Sequence, residues 1–450
     1  MIGGRNIKVA FYTLGCKLNQ AETELLAGQF NKAGYHLVSP HDTADIYIVN
    51  TCTVTHIADR KSRHWLRLVR RKNPEALIIA TGCYAQRAPQ ELAQIADLII
   101  DNEEKEHLLE VVKGAKNQSN VIASEAKQPR SQEKTKPPDI PYNTRVRSLI
   151  KIQDGCHSPC TYCIVPRVRA YEYSLPASQI IEEIKQKVAV GYKEVVLTGT
   201  KVGCYSYNGV NLRGLMERIL HNTDIKRLRL SSLQPQEISA DFLALWQDAA
   251  LSSGEGSRLC RHFHLALQSG SDAVLQRMKR CYSLDDYQKT INLIREAIPD
   301  AAITTDVMVG FPGEGNAEFE QNYRFCQQAD FANIHVFPFS PRPGTAAAKM
   351  PQQVWEQVKK ERAQRMLELA RYCRHSSYAQ FLGRTMPVLW EKETNLGSGI
   401  YSGLTDNYIR VFTHSEKPLT NKITPVKLDG FYNQGMSGEL VSEDSSQGKS

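Results

Sequence analysis

Long apolar runs are absent from this 450-residue chain, and with them the segments that would cross a membrane. No window approaches the roughly eighteen consecutive apolar residues of a membrane span. The opening residues, MIGGRNIKVAFYTLGC, lack the apolar stretch and the small-residue cleavage site of a signal peptide. No repeat with a period of about twenty to fifty residues is evident, which disfavours solenoids and propellers. We therefore predict a cytoplasmic protein with no membrane partner.

A complete set of disulfides is also excluded. The chain has eleven cysteines, an odd number, and no secretion signal, so metal or redox chemistry is the better interpretation. Its 41% hydrophobic and 23% charged residues are typical of globular proteins and exclude rods and wholesale disorder. The net charge of +8 favours an anionic partner such as nucleic acid without identifying one.

The length predicts two or three domains. Over residues 7–113, short apolar runs alternate with helix-like segments, which predicts an N-terminal α/β domain with a parallel sheet. Residues 114–141 are rich in Lys, Gln, Ser and Pro and contain no aromatic residue. Because such a segment buries little surface, we predict an exposed, disordered linker.

The rest of the chain predicts two further domains. Residues 142–374 contain six strand candidates, each followed by a plausible helix. This order predicts a parallel sheet that curls into a partial (β/α)6 barrel or a doubly wound fold, with the functional site at the carboxyl ends of the strands. Residues 376–441 alternate short strands with Gly, Asn and Asp turns, which predicts a small β-barrel, and residues 442–450 are expected to be a loose tail.

The most specific motif is GCHSPCTYC, in which Cys156, Cys160 and Cys163 follow a predicted strand with C-x-x-x-C-x-x-C spacing. Three thiolates on one loop can bind three irons of a four-iron cluster and leave the fourth iron open to a substrate or cofactor. Structural zinc sites and ordinary ferredoxin clusters use four protein ligands and fit this spacing poorly. Zinc with a remote fourth ligand is the alternative.

The other trio of cysteines, which comes first in the chain, is more widely spaced. Cys16, Cys52 and Cys83 each end an apolar strand candidate of the first domain. Because the carboxyl ends of parallel strands share one edge of a sheet, these thiols can converge on a second cluster. The alternative is that they are small buried hydrophobes. We expect packing or incidental roles for the other five cysteines: Cys204, Cys260, Cys281, Cys326 and Cys373.

With Tyr162 before its last cysteine, the compact motif resembles the signature of the radical S-adenosylmethionine superfamily. Further segments resemble the methylthiotransferases of that superfamily, most of all the branch acting on N6-threonylcarbamoyladenosine in tRNA. Among these segments are TLGCKLNQ, NTCTVT, TGCYAQ, HLALQSGS and TTDVMVGFPGE. The resemblance implies three parts: an N-terminal methylthiotransferase domain, a radical S-adenosylmethionine domain and a C-terminal TRAM domain.

The same resemblance implies two 4Fe-4S clusters, one on each cysteine trio, with S-adenosyl-L-methionine as the cofactor. It implies that the cluster on Cys156, Cys160 and Cys163 cleaves the cofactor to a radical, while the second cluster binds or donates sulfur. The expected product is the 2-methylthio derivative of N6-threonylcarbamoyladenosine at tRNA position 37. The implied partners are tRNA, an electron donor such as a flavodoxin or ferredoxin, and a sulfur donor. No side chain is assigned as a general acid or base.

Three alternatives to this function stay open. Two keep the chemistry and change the substrate to isopentenyladenosine in tRNA or to an aspartate of a ribosomal protein. By resemblance, Lys17 and the segment NTCTVT favour threonylcarbamoyladenosine over both. The third is a non-catalytic iron–sulfur protein that binds RNA through its C-terminal barrel. The open three-thiolate site counts against that alternative.

Several small residues at predicted strand ends are candidates to line the cofactor cleft. They are Thr198, Gly199, Ser231, Ser232 and Gln268, and ordinary turns and helix caps are the alternative. The segment GFPGEG lacks the ending of a phosphate-binding loop and predicts a tight turn. After Cys163 the family pattern has Arg-Gly followed by Arg-Ser-Arg, whereas Arg169 here is followed by Ala170 and the later positions are Tyr173, Ser174 and Leu175.

A basic segment begins eight residues after Cys52. Between residues 60 and 72 it contains Arg60, Lys61, Arg63, Arg67, Arg70, Arg71 and Lys72. In a helix, Trp65 and Val69 turn toward the domain, and five arginines lie near one face: Arg60, Arg63, Arg67, Arg70 and Arg71. No acidic residue lies in this stretch, which argues against local neutralisation. We predict that this helix contacts tRNA phosphates beside the cluster edge. A solvated helix face is the alternative.

Overall fold

The computed structural model describes residues 7–119, 146–252 and 257–441. These residues form two compact units, and residues 164–170 belong to the first unit although they follow part of the second in sequence. Most of the predicted linker, residues 120–141, and the predicted tail, residues 442–450, lie outside the described residues.

The first unit is a five-stranded parallel sheet with helices on both faces. The strand order is β2-β1-β3-β4-β5, which confirms the predicted parallel α/β domain. Its elements are β1 (Lys8–Thr13), α1 (Lys17–Lys32), β2 (His36–Val38), β3 (Ile46–Thr51), α2 (His56–Lys72), β4 (Leu77–Gly82), α3 (Cys83–Arg87), α4 (Pro89–Leu92), β5 (Leu98–Ile99), α5 (Leu108–Ser119) and α6 (Val165–Val168).

Apolar side chains cover both faces of this sheet. Phe11 and Ile48 pack with Phe30 of α1 and Leu108 of α5 on one face. A second core, which contains Trp65 of α2, covers the other face. Strand β3 is consequently buried along its whole length, as a central parallel strand should be.

The boundary predicted between this domain and the linker differs from the structure. Helix α5 continues to Ser119, so residues 114–119 are helical rather than part of a loose segment. The reason is that Leu108 and Val112 anchor the start of the helix in the core, and the helical backbone continues to Ser119. Polar composition alone does not reveal such an extension.

The second unit begins with six β-then-α positions. Parallel pairing joins β6, β9 and β12 in one sheet and β13, β14, β15 and β16 in another, with only Ser231 between β12 and β13. This confirms the predicted partial (β/α)6 barrel. Its elements are β6 (Arg147–Lys151), β7 (Gln153–Asp154), β8 (Tyr173–Ser174), α7 (Ala177–Ala189), β9 (Glu194–Thr198), β10 (Ser206–Tyr207), β11 (Val210–Asn211), α8 (Leu212–Asn222), β12 (Arg227–Leu230), β13 (Ser232–Leu233), α9 (Ala240–Ser252), β14 (His262–Leu265), α10 (Asp272–Arg277), α11 (Leu284–Ala297), β15 (Ala302–Val309), α12 (Asn316–Gln328), β16 (Asn333–Pro338) and α13 (Glu356–Ala379).

The chain ends in a closed five-stranded barrel, as predicted. Its strands are β17 (Thr385–Glu393), β18 (Ile400–Thr405), β19 (Arg410–His414), β20 (Ile423–Tyr432) and β21 (Gly435–Leu440), in the order β17-β18-β19-β21-β20. Val388, Trp390 and Val411 are fully buried in its core. Within the ranges described, every helix is too short or too polar to span a lipid bilayer.

Buried arginines fasten this small barrel to the sheet of the second unit. Arg227 donates to the carbonyl oxygens of Pro387 and Leu404 at 2.7 and 2.9 Å. Arg229 donates to the carbonyl of Asp406 at 2.9 Å and to Glu194 at 2.7 Å, and neither charged side chain of that pair is more than 1% exposed. Burial alone would raise the pKa of Glu194, but Arg229 outweighs it and holds that pKa below its usual range.

Replacing Arg229 with Met should lower the thermal unfolding midpoint of the second unit by several degrees. Glu194 would then be buried without its closest cation, and breaking a buried ion pair from one side costs about 3–5 kcal/mol. Differential scanning calorimetry measures the shift. The matched control is Arg213→Met, which breaks the more exposed pair with Glu217 and should cost about 1 kcal/mol or less. Equal shifts in the two variants would contradict the anchoring role of Arg229.

Candidate functional site

The first cysteine trio lies at the carboxyl edge of the first sheet. Cys52 directly follows β3, Cys83 directly follows β4, and Cys16 is the residue before α1. The parallel register pairs Thr13 with Asn50 and Thr51 with Gly82, so neighbouring strands deliver these cysteines to one edge. The strand order runs one way from β1 to β2 and the other way from β3 to β5. The point between β1 and β3 where it reverses is where α/β sheets of this kind bind ligands.

Two glycines allow the trio to converge. Gly15 has φ +99°, and a Cβ there would lie 2.7 Å from Cys52 Sγ. Gly82 has φ +93°, and a Cβ there would lie 2.4 Å from Asn50 Oδ1. Both positions have a left-handed backbone conformation and no room for a side chain. Only glycine satisfies both requirements. The sequence therefore has a glycine immediately before Cys16 and before Cys83.

Two thiols of this trio, those of Cys16 and Cys52, have raised pKa values. Burial raises the pKa of Cys52 to about 12, and the proximity of Cys83 and Cys16 adds to that shift. Desolvation by the surrounding protein and the proximity of Cys83 raise the pKa of Cys16, although the residue as a whole is exposed. Thiols bind iron as thiolates, so binding of an iron–sulfur cluster at this trio would release their protons.

Three charged residues lie next to this trio, and the sequence singled out only Arg169 among them. Glu22, Lys105 and Arg169 are all buried, and the carboxylate of Glu22 pairs with both cations. Burial lowers the pKa of Lys105, and Glu22 opposes that shift. Arg169, at the changed segment after Cys163, is therefore committed to Glu22 rather than exposed to solvent.

The second trio lies on the loop after β7. Cys156, Cys160 and Cys163 are all half-buried. Ser158 N donates to Cys156 Sγ at 3.4 Å, and Arg280 donates to Cys160 Sγ at 3.3 Å. Such donors reduce the repulsion among thiolates, so the loop fits a ligand that binds three of them. Arg280 is another residue that the sequence did not single out.

Backbone and side-chain bonds hold this cysteine loop in place. Thr161 N donates to Met278 O at 3.1 Å, and Thr161 Oγ1 donates to Arg277 O at 3.0 Å. Ala347 N donates to Thr161 O at 2.8 Å. Tyr162 packs edge-on against Phe311. The middle of the loop is thus bonded to the end of α10 and to the segment after β16.

No three His, Cys, Asp or Glu side chains within residues 7–119, 146–252 and 257–441 stand close enough to bind one metal ion. That criterion concerns a single ion. A cubane places its iron atoms apart and binds each thiolate at a different iron.

The predicted cleft residues lie at strand ends, where several of them have packing roles. Thr198 is buried, and its carbonyl accepts a bond from Ile152 N. A Cβ on Gly199 would lie 2.7 Å from Gln153 O. Gln268 adopts φ +67°, and its backbone bonds with Asp306 and Met308 of β15.

Two buried hydroxyls at strand ends offer a better fit to a polar cofactor. Among the described residues, Ser231 Oγ after β12 and Ser269 Oγ after β14 have no hydrogen-bond partner. Buried polar atoms of this kind normally find a partner, so both are suited to a bound polar ligand. Ser232, by contrast, is exposed.

The glycine-rich segment is a tight turn, as predicted. Gly310 and Gly313 have φ +72° and +75°, and Glu314 N donates to Phe311 O at 2.9 Å. The carboxylate of Glu314 accepts from the backbone of Gly310 and from Arg362. The turn binds its own acidic side chain, which is the opposite of a phosphate-binding loop.

The basic segment forms helix α2, with Trp65 and Val69 buried as predicted. Arg60, Arg67 and Arg71 are exposed. The expectation that no acid neutralises this segment is wrong for Arg63 and Arg70. Arg63 contacts Tyr84 and Glu91, and Arg70 pairs with Asp97 at 2.5 Å, because the fold brings these acids from distant positions in the sequence. The groove along the helix is lined by Arg60, Arg63, His64, Arg67, Arg70, Arg71 and Ile95.

The remaining cysteines divide by environment. Cys326 and Cys373 are buried in the main core of the second unit, and Cys260 is also buried. Cys281 is exposed. Cys204 is half-buried and donates to Glu237 at 3.6 Å, so it has a polar neighbour rather than a packing role.

Two families match the chain. Residues 8–101 match the family described as uncharacterized protein family UPF0004, and residues 150–326 match the radical SAM superfamily. Among solved structures, the radical S-adenosylmethionine methyltransferase TsrM from Kitasatospora setae has a similar fold. The TM-score is 0.55 at 15% identity, and the match covers 76% of this chain and 77% of that one.

Curated relatives match almost the full length. The threonylcarbamoyladenosine tRNA methylthiotransferase MtaB of Bacillus subtilis is 36% identical over 452 residues, 97% of each chain. The protein of the same name from Aquifex aeolicus is 38% identical and covers 90% of this chain and 96% of its own. A tRNA-2-methylthio-N(6)-dimethylallyladenosine synthase of Syntrophotalea carbinolica is 30% identical and covers 96% and 100%. This chain therefore belongs to the radical S-adenosylmethionine family of tRNA methylthiotransferases.

Proposed function

We propose that this protein converts N6-threonylcarbamoyladenosine at position 37 of tRNA into its 2-methylthio derivative, using S-adenosyl-L-methionine. The observation that carries the proposal is the presence of two separate cysteine trios, one at the carboxyl ends of parallel strands and the other on the loop after β7. The substrate follows the relatives with the higher identity, which are named for threonylcarbamoyladenosine.

Each trio would hold one 4Fe-4S cluster. We assign Cys156, Cys160 and Cys163 to the cluster that leaves an iron open for S-adenosyl-L-methionine, and Cys16, Cys52 and Cys83 to the second. When bound, these groups supply the radical and sulfur chemistry that ordinary acid–base catalysis cannot perform at an aromatic C–H bond.

The protein's own residues position these groups and shield them. Arg280 donates to Cys160 Sγ and so offsets negative charge at the open site. The buried hydroxyls of the candidate Ser231 and of Ser269, which follows the candidate Gln268, are available to a bound polar ligand. We place Thr198, Gly199 and Gln268 at the rim of the cofactor cleft.

The organisation we propose has three domains: a methylthiotransferase domain over residues 7–113, a radical S-adenosylmethionine domain over 142–374 and a TRAM domain over 376–441. The reaction also requires an electron donor, such as a flavodoxin or ferredoxin, and a sulfur donor. Because its substrate is tRNA, we propose that the protein acts in the cytoplasm.

The two trios should have separable roles. Replacing Cys156, Cys160 and Cys163 with Ala should abolish both cleavage of S-adenosyl-L-methionine and formation of methylthiolated tRNA. Replacing Cys16, Cys52 and Cys83 with Ala should preserve cleavage and stop sulfur insertion. Anaerobic assays of 5′-deoxyadenosine, with mass spectrometry of tRNA nucleosides, distinguish these results. Each variant should bind about four irons and the parent protein about eight, for one cubane per trio.

A control variant removes the same number of thiols elsewhere. The variant in which Ala replaces Cys260, Cys281 and Cys373 should retain both activities. Product formation by the Cys16, Cys52 and Cys83 variant would refute the sulfur role of that trio. If the protein methylthiolates isopentenyladenosine instead, the substrate we propose is wrong and the isopentenyladenosine alternative holds. If protein loaded with both clusters does not cleave S-adenosyl-L-methionine at all, a non-catalytic RNA-binding role is favoured.

Helix α2 is the surface we propose for tRNA binding. The candidates Arg60, Arg63, Arg67 and Arg70 divide into two groups, because Arg63 and Arg70 are paired with acids while Arg60 and Arg67 are exposed. Arg71 is also exposed and lines the same groove. Exposed guanidiniums on one groove suit a phosphate backbone.

Replacing Arg60, Arg67 and Arg71 with Gln should weaken tRNA binding and lower the slope of log affinity against log salt by about two to three. The reason is that a protein with fewer phosphate contacts releases fewer counterions from the tRNA when it binds. Fluorescence anisotropy at several salt concentrations measures the slope. The control replaces Lys185, Arg218 and Arg371, three exposed basic residues of the second unit, and removes equal charge. If both variants change the slope equally, α2 is not a specific contact.

A further inference from the structure

A buried cluster of three charged residues lies beside the first cysteine trio. It consists of Glu22 on α1, Lys105 after β5 and Arg169 after α6, which are 6%, 3% and 6% exposed. We call it the buried ion triad. Arg169 contacts both carboxylate oxygens of Glu22 at 2.8 and 2.9 Å, and Lys105 contacts one of them at 2.6 Å.

The triad is connected to the cysteines through two asparagines. Asn19 Oδ1 accepts a bond from Arg169 at 3.0 Å and lies 4.0 Å from Cys16 Sγ. The amide of Asn19 donates to the carbonyls of Leu14 and Thr51, which flank Cys16 and Cys52. Asn50 Oδ1 lies 3.5 Å from Lys105 Nζ. The positive charges are thus fixed relative to the thiols.

The triad has two cations and one carboxylate, so it carries an excess positive charge. Buried charges act strongly on their neighbours, because the protein around them screens less than water does. Three thiolates around a four-iron core make the bound cluster a net anion. The net positive charge of the triad and the negative charge of the bound cluster would therefore stabilise each other.

We propose that the buried ion triad supplies the fixed positive charge that stabilises the cluster held by Cys16, Cys52 and Cys83 and sets its reduction potential. This inference rests on the proposed function for those cysteines. Glu22, Lys105 and Arg169 are positioning residues, because they act on the cluster through its surroundings. A nearby positive charge favours the reduced, more negative form of a cluster and raises its reduction potential.

The test uses the full chain with Cys156, Cys160 and Cys163 replaced by Ala, so that only the first trio can be loaded. After anaerobic reconstitution with iron and sulfide, iron analysis and a redox titration followed by electron paramagnetic resonance give the loading and the potential. About four irons are expected per chain. If this parent binds no cluster, the proposed ligands fail rather than the role of the triad.

Substitutions of opposite charge should shift the potential in opposite directions. Lys105→Gln removes a positive charge and should lower the reduction potential, whereas Glu22→Gln removes a negative charge and should raise it. In each case we expect about a tenfold change in the ratio of reduced to oxidised cluster at a fixed potential, which is 59 mV for one electron. If the triad had only a structural role, the two substitutions would not shift the reduction potential in opposite directions.

The double variant Glu22→Gln and Lys105→Gln restores the net charge and should return the potential close to that of the parent. The control Lys32→Gln removes an exposed lysine of α1 and should leave the potential unchanged. Should a single variant fail to bind iron, recovered loading in the double variant supports the proposal and continued failure overturns it. Shifts of the same sign, or none, in the two single variants also overturn it.

Discussion

The parallel register of β1, β3 and β4 is the constraint on which the first site depends. It brings residues 16, 52 and 83 to one edge of a sheet, although long helical connections separate them in sequence. Gly15 and Gly82 then let the backbone turn without displacing Cys52 or Asn50. A slip of one residue in either strand pair would direct these side chains to the opposite face. The site is thus a property of the sheet rather than of a local loop.

Buried charge is used differently in the two units. In the second unit, Glu194 is surrounded by Arg229 and Arg227, and the same guanidiniums bond to backbone carbonyls of the C-terminal barrel. There the ions join two folded parts of one unit. In the first unit, Glu22, Lys105 and Arg169 lie beside thiols whose pKa values are raised, so their field acts on the site. Both arrangements depend on buried ion pairs, which are stabilising only where each buried charge is matched by a partner and by hydrogen bonds.

Much of the architecture could be predicted because it follows from local pattern. Apolar runs separated by helical segments predict the parallel sheets, and the spacing of Cys156, Cys160 and Cys163 predicts a cluster loop without any alignment of distant residues. Ion pairing could not be predicted in this way. Glu22 is 83 residues from Lys105 and 147 from Arg169, and Arg63 meets an acid 28 residues away. No periodicity connects such positions, and the end of α5 at Ser119 has no compositional signal either.

The central claim is that one chain holds two clusters on two cysteine trios. Anomalous diffraction at the iron absorption edge, from crystals of anaerobically reconstituted protein, tests it most directly because it locates iron without assuming activity. The account predicts two groups of iron peaks, one bounded by Cys16, Cys52 and Cys83 and the other by Cys156, Cys160 and Cys163. Iron confined to the second group, or bound by other residues in the first unit, would contradict it.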